Sequence, residues 1–142
     1  MKPHIQFRAM VPLDYEDFTK ATSYYPGPQF GGIVAWFNDA GRNVIMGAVG
    51  FDGWTPNAVT MHWYIKHPRC IIPLWHESLA YLSGHGKRKI IGTTPSNNVR
   101  ALRTMYDKLG WRKVAVIEGG WADNVDIIIS EYLIHAEQSA AA

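Results

Sequence analysis

KIIGTTPSNNVRALRTMYDKLGW, residues 89–111, is the stretch whose reading decides the fold. Ile90 and Ile91 form a short apolar strand that meets Gly92 and Thr93, and Thr94-Pro95 offers a helix cap followed by a first-turn proline. Leu102, Met105, Tyr106 and Leu109 then recur at i, i+3, i+4 and i+7, the spacing of one buried helical stripe, while Arg100, Arg103, Asp107 and Lys108 fall on the other side. Gly110 supplies the left-handed residue that stops such a helix. The unit is strand, turn, helix, stop.

Working outward, Ile5, Phe7 and Ala9 alternate with Gln6 and Arg8 as a half-buried first strand. Pro12 and Asp14 open a helix in which Tyr15, Phe18, Thr22 and Tyr25 keep helical spacing until Pro26-Gly27-Pro28. Three strand-like runs follow, Ile33 to Phe37, Val44 to Phe51 and Val59 to Ile65. The separators between them, 38–43 and 52–57, are short and rich in turn residues, which predicts an antiparallel meander. Pro68 starts a second helix with Ile71, Trp75, Leu79 and Leu82 on one face, closed by Gly84 and Gly86. After the opening unit, Lys113 to Ile117 and Val125 to Ile134 read as two more strands joined by a loop over 118–124, and the tail from residue 136 reads as frayed.

Composition narrows the class. A chain of 142 residues with 47% apolar and 13% aromatic residues suits one packed domain, 1–142, rather than a disordered segment. The formal charge of +2 tolerates an anionic ligand without requiring one, and gives no sign of the strongly basic face that nucleic-acid binding needs. A single cysteine, Cys70, excludes an intramolecular disulfide. With no apolar run near the ~20 residues of a membrane helix and no apolar leader, the expectation is a cytoplasmic protein without a membrane partner. No metal is expected: His62, His67, His76 and His85 lack ligand spacing, and His76-Glu77 meets Ala80 where a zinc-protease pattern needs its second histidine.

Tyr106-Asp107-Lys108-Leu109-Gly110-Trp111 resembles the end of the last βα unit in the GNAT superfamily of acyl-CoA-dependent N-acetyltransferases, where the pattern runs roughly Asn-x-x-Ala…Tyr-Glu-Lys-Leu-Gly-Phe. Asn98 and Ala101 match its head, but the run from Asn98 to Gly110 is one residue longer than usual, about 100° of helix rotation. The order β-α-β-β-β-α-β-α-β-β is also that of the GNAT fold, and residues 50–62 are similar to a hairpin of small GNAT proteins common in phages and prophages. The resemblance implies an α+β, three-layer fold: a mixed, mostly antiparallel twisted sheet with helices on both faces.

It also implies a chemistry, acetyl transfer from acetyl-CoA to an amine acceptor by direct attack. The fourth and fifth strands would splay, and the backbone of the fourth, at Trp63 and Ile65, would hold the pantetheine arm. Tyr106 would be the general acid that protonates the departing thiolate, and Asn98 would touch the cofactor. Alternation within Val59 to Ile65 places Thr60, His62 and Tyr64 on one face. An imidazole there suits a general base near neutral pH, which makes His62 the candidate. One part departs from the family. Where its diphosphate loop has glycines, this chain has Ile72, Leu74 and His76, leaving Lys66 and Arg69 as phosphate partners. That departure supports an alternative class, a GNAT-fold binding or structural component associated with a phage; a nucleic-acid-modifying relative is a third. Residues 23–30 and 118–124 would form the acceptor loops, and Trp54 and Trp121 would be contact residues for a protein partner or a homodimer.

Overall fold

Alternating strands in the first half of the chain do pair as a meander. The computed structural model describes residues 4–135, so the expected frayed tail lies outside the described residues. Strands β1 (Gln6–Ala9), β2 (Gly31–Asp39), β3 (Arg42–Asp52) and β4 (Ala58–Ile65) are successive antiparallel neighbours. The separator at 38–43 tightens to Ala40-Gly41, with φ of 51° and 86°; two positive φ values match the twist of a two-residue hairpin.

Helix α1 (Pro12–Thr22) stops before Tyr25, where the spacing had carried it. Ser23 enters the left-handed region at φ 61° and its N–H donates to the Thr19 carbonyl. At the other end Asp14 caps the helix: its Oδ2 accepts the Val11 N–H at 2.8 Å, and its two carboxylate oxygens receive the Arg8 guanidinium at 2.7 and 2.9 Å.

A short 3₁₀ turn, Pro68–Cys70, leads into α2 (Ile71–Gly84), whose buried face is Leu74, Trp75, Ser78, Leu79 and Leu82. Strand β5 (Lys89–Pro95) then runs on past Ile91 through Gly92 and Thr93, so Pro95 ends a strand instead of opening a helix. Asn98 is the true cap. Its Oδ1 accepts the Ala101 N–H at 3.3 Å, and α3 begins at Val99.

Helix α3 starts as an α-helix over Val99–Arg103 and widens into a π-helix over Thr104–Leu109 before Gly110 terminates it at φ 82°. A π segment holds one more residue per turn than an α-helix allows, so it absorbs the extra residue seen between Asn98 and Gly110. Strands β6 (Arg112–Ala122) and β7 (Val125–Leu133) complete the chain. The loop expected at 118–124 is mostly strand: β6 continues to Ala122 with an irregularity after Ile117, leaving Asp123-Asn124 as the turn.

The seven strands lie in the order β1-β2-β3-β4-β5-β7-β6, and β4 with β5 is the parallel pair. Phe18 of α1 packs with Phe30, Val34 and Ala48 on one face. On the other, Leu74, Trp75, Leu79 and Leu82 of α2 and Met105 and Leu109 of α3 pack with Val49, Phe51, Val59, Met61, Ile90 and Tyr132. The result is the expected three-layer α+β architecture. Among the described residues no helix is long and apolar enough to cross a membrane.

Candidate active site

Pairing between β4 and β5 covers only three positions, Ala58 with Lys89, Val59 with Ile90 and Thr60 with Ile91. Beyond Thr60 the two parallel strands part, and the edge of β4 that faces β5 has no strand to bond. A cleft of about 690 Å³ opens there, within the range of small-molecule sites. Met61 to Lys66 form one wall and Gly92 to Pro95 with Asn98, Arg100 and Ala101 the other; the end of α1 and Trp121 stand at the rim. None of its lining residues is acidic, while Lys66 and Arg100 are cationic. Its floor is aromatic: Trp63 and Trp111 lie 5.9 and 5.7 Å from Trp75, ring centre to ring centre.

His62 is the first side chain on the α1 face of β4 past the parting of the strands. Its Nε2 lies 2.9 Å from Oδ1 of Asp52, on the neighbouring β3, and its ring stacks on Tyr24 at 3.9 Å with the planes 21° apart. A carboxylate only accepts, so Nε2 carries the hydrogen, and in the neutral ring that leaves the lone pair on Nδ1. Two of the imidazole's freedoms, tautomer and ring orientation, are thereby fixed by two different neighbours. Room for this exists because the residue paired with His62 is Gly50. A Cβ at Gly50 would overlap the Phe30 ring, which fills that space and stacks on Tyr24 at 5.8 Å.

Of the residues singled out in the sequence, His62, Trp63, Ile65 and Asn98 come together around the cleft. Arg69 is exposed on the turn before α2 and is not part of the lining. Tyr106 is not brought into it either. In the π segment Met105 takes the position facing the cleft, and the Tyr106 hydroxyl sits 2.6 Å from Oγ of the fully buried Ser130 on β7. Of the two tryptophans singled out for contact, Trp121 is 44% exposed and lines the cleft, whereas Trp54 packs on Phe51 and Tyr81 with its Nε1–H donating to the Gln29 carbonyl. Asp52 and Tyr24 are functional candidates that sequence reading missed. Among the described residues no group of three His, Cys, Asp or Glu side chains could hold a metal ion.

At the turn leading into α2 the backbone is already engaged. The N–H groups of Lys66 and His67 both donate to the Met46 carbonyl, at 2.8 and 2.9 Å. Cys70 donates to His67 at 3.1 Å and Ile71 to Pro68. Cys70 itself is fully buried, and burial pushes its thiol up to about 11.

A sheet parted between β4 and β5, with a cleft in the fork, defines the GNAT acetyltransferase fold, and solved structures bear this out. Spermidine/spermine N-acetyltransferase SpeG from Vibrio cholerae superposes with a TM-score of 0.73 at 13% identity, over 97% of this chain and 97% of that one. Arabidopsis thaliana NAA60 in complex with acetyl-CoA gives 0.72 at 18% identity, over 92% and 99%. An N-acetyltransferase from Staphylococcus aureus Mu50 gives 0.69 at 12% identity, over 93% and 99%. At these identities the likeness is one of fold. No family model matches the chain, and no curated protein does.

Proposed function

We propose that this protein is an N-acyltransferase that moves an acetyl group from acetyl-CoA to an amine, with the thioester in the fork between β4 and β5. The observation that carries the reading is the Asp52-His62 pair at the mouth of that fork, on the face where α1 leaves the cleft open. The free β4 edge from Met61 to Ile65 offers backbone groups to the amides of a pantetheine arm, as a strand would. With Nε2–H held by Asp52, Nδ1 of His62 takes the proton of the attacking amine, directly or through one water. The new C–N bond forms, the C–S bond breaks, and the thiolate leaves into an open cleft where solvent protonates it. Tyr106 has no part in this scheme, because Ser130 holds its hydroxyl.

Acetyl-CoA in the Arabidopsis neighbour, and CoA with spermine in a second structure of the Vibrio protein, support the donor and the class of acceptor. Spermine itself is not carried over. A cleft without an acidic lining residue has nothing to receive the further ammonium groups of a polyamine. The engaged amides before α2 favour a second reading, a GNAT-fold protein that binds a partner without transferring acyl groups.

Calorimetry with acetyl-CoA, paired with thiol release in the presence of a panel of primary amines, separates the two. Saturable binding and amine-dependent thiol release that His62→Ala abolishes would support the transferase. Absence of binding at millimolar ligand sinks it and leaves the second reading.

A further inference from the structure

A thioester donor built on CoA presents two handles, a pantetheine arm and an adenosine diphosphate, and this site is built for only one of them. Anions at a helix start are held by free backbone N–H groups. Between Lys66 and Ile71, Lys66, His67, Cys70 and Ile71 have spent theirs on carbonyls of the chain, and Pro68 has none. That accounts for five of the six positions. Ile72, 45% exposed, and the His76 side chain stand on the outer surface of the first turns, where glycines would let a diphosphate come close.

The cations near the mouth do not replace that cradle. Lys66 and Arg100 line the cleft and Arg69 lies exposed beside it; none of the three forms an ion pair with a described acid. Solvated side chains of this kind hold a phosphate loosely, and salt screens what they contribute. The arm is served better. Five consecutive residues of β4, Met61 to Ile65, follow the last β5 pair, with Trp63 and Trp111 beneath as apolar surface.

We infer, resting on the transferase reading above, that the donor is recognised by its acyl-pantetheine arm and that the diphosphate and adenosine of CoA contribute little to its binding. The same arm then serves whether it is free or carried on CoA.

The test is calorimetry on the full chain with S-acetylpantetheine and acetyl-CoA, each at low salt and at about 0.5 M NaCl, where the Debye length falls to a few ångströms. The expected result is dissociation constants within about tenfold of each other at low salt, converging at high salt. Acetyl-CoA binding more than about tenfold tighter, with the advantage kept at high salt, would overturn the inference while leaving the transferase intact. Binding of neither thioester would overturn both.

Discussion

Oδ1 of Asp52 and Nε2 of His62 meet at 2.9 Å across the β3–β4 hairpin, and both side chains are mostly buried, 20% and 14% exposed. In such surroundings the hydrogen bond decides which ring nitrogen can accept a proton. Asp52→Asn lets an amide N–H face the ring and favours the opposite tautomer. Its kcat should fall about 10–100-fold while KM for the acetyl donor stays within about twofold, and His62→Ala should cost about 10²–10⁴ in kcat. Steady-state kinetics on the two variants read this directly. A rise in donor KM with kcat unchanged would show that the pair shapes the cleft and takes no part in proton transfer.

Tyr106 and Ser130 make the opposite case in the proposed scheme, where a residue of catalytic type serves in a structural bond. Ser130 is fully buried on β7, so Tyr106→Phe leaves its hydroxyl without the 2.6 Å partner. The expected loss is about 1–2 kcal/mol in stability, with kcat reduced less than about threefold. Chemical denaturation of Tyr106→Phe, Ser130→Ala and the double variant gives the coupling, which should account for most of the single losses. A hundredfold drop in kcat with stability intact would return Tyr106 to the chemistry.

How far the sequence could be read follows from which interactions are local. Helix α2, the meander and the Gly110 stop came from periodicity and backbone preference, which act within a few residues. Asn98 at the head of α3 and the extra residue behind it were visible as well. Whether that residue would be absorbed by a π turn, turning Tyr106 toward Ser130, depends on a strand 24 residues later. Asp52 escaped for a similar reason. Its bond to His62 spans ten residues and needs the hairpin register, Gly50 opposite His62, which the turn at 53–57 did not fix. Strand β6 was cut short at Ile117 because Gly119 and Gly120 read as loop, whereas the extended backbone continues across them to Ala122, where pairing with β7 resumes at Val125 after an irregularity.

Cys70 tests the reading of the turn before α2 as a packed element. Its sulfur sits in the core beside Gly47, and with the thiol pushed up to about 11 the reactive thiolate is below roughly 0.1% at pH 7.5. A maleimide should label the native protein only as fast as it opens, and label it at once in denaturant. Rapid stoichiometric labelling of native protein would mean that the turn opens readily, and that its engaged amides become available to a ligand.

Arg8 and Asp14 tie β1 to the first turn of α1, the helix whose far end borders the cleft. The Arg8 guanidinium holds the Asp14 carboxyl below its ordinary range, with help from the Val11 N–H and against the cost of burial. A carboxyl depressed in the folded state contributes stability above its unfolded value, ~3.9, and loses it as pH falls through the lower folded value. Asp14→Asn should therefore cost about 1 kcal/mol at pH 7, through the lost cap and ion pair together, with the deficit shrinking below pH ~4. Thermal melts of both proteins from pH 7 to pH 3 check the sign. A deficit that stays constant down to pH 3 would place the cost in the changed shape of the side chain and not in its charge.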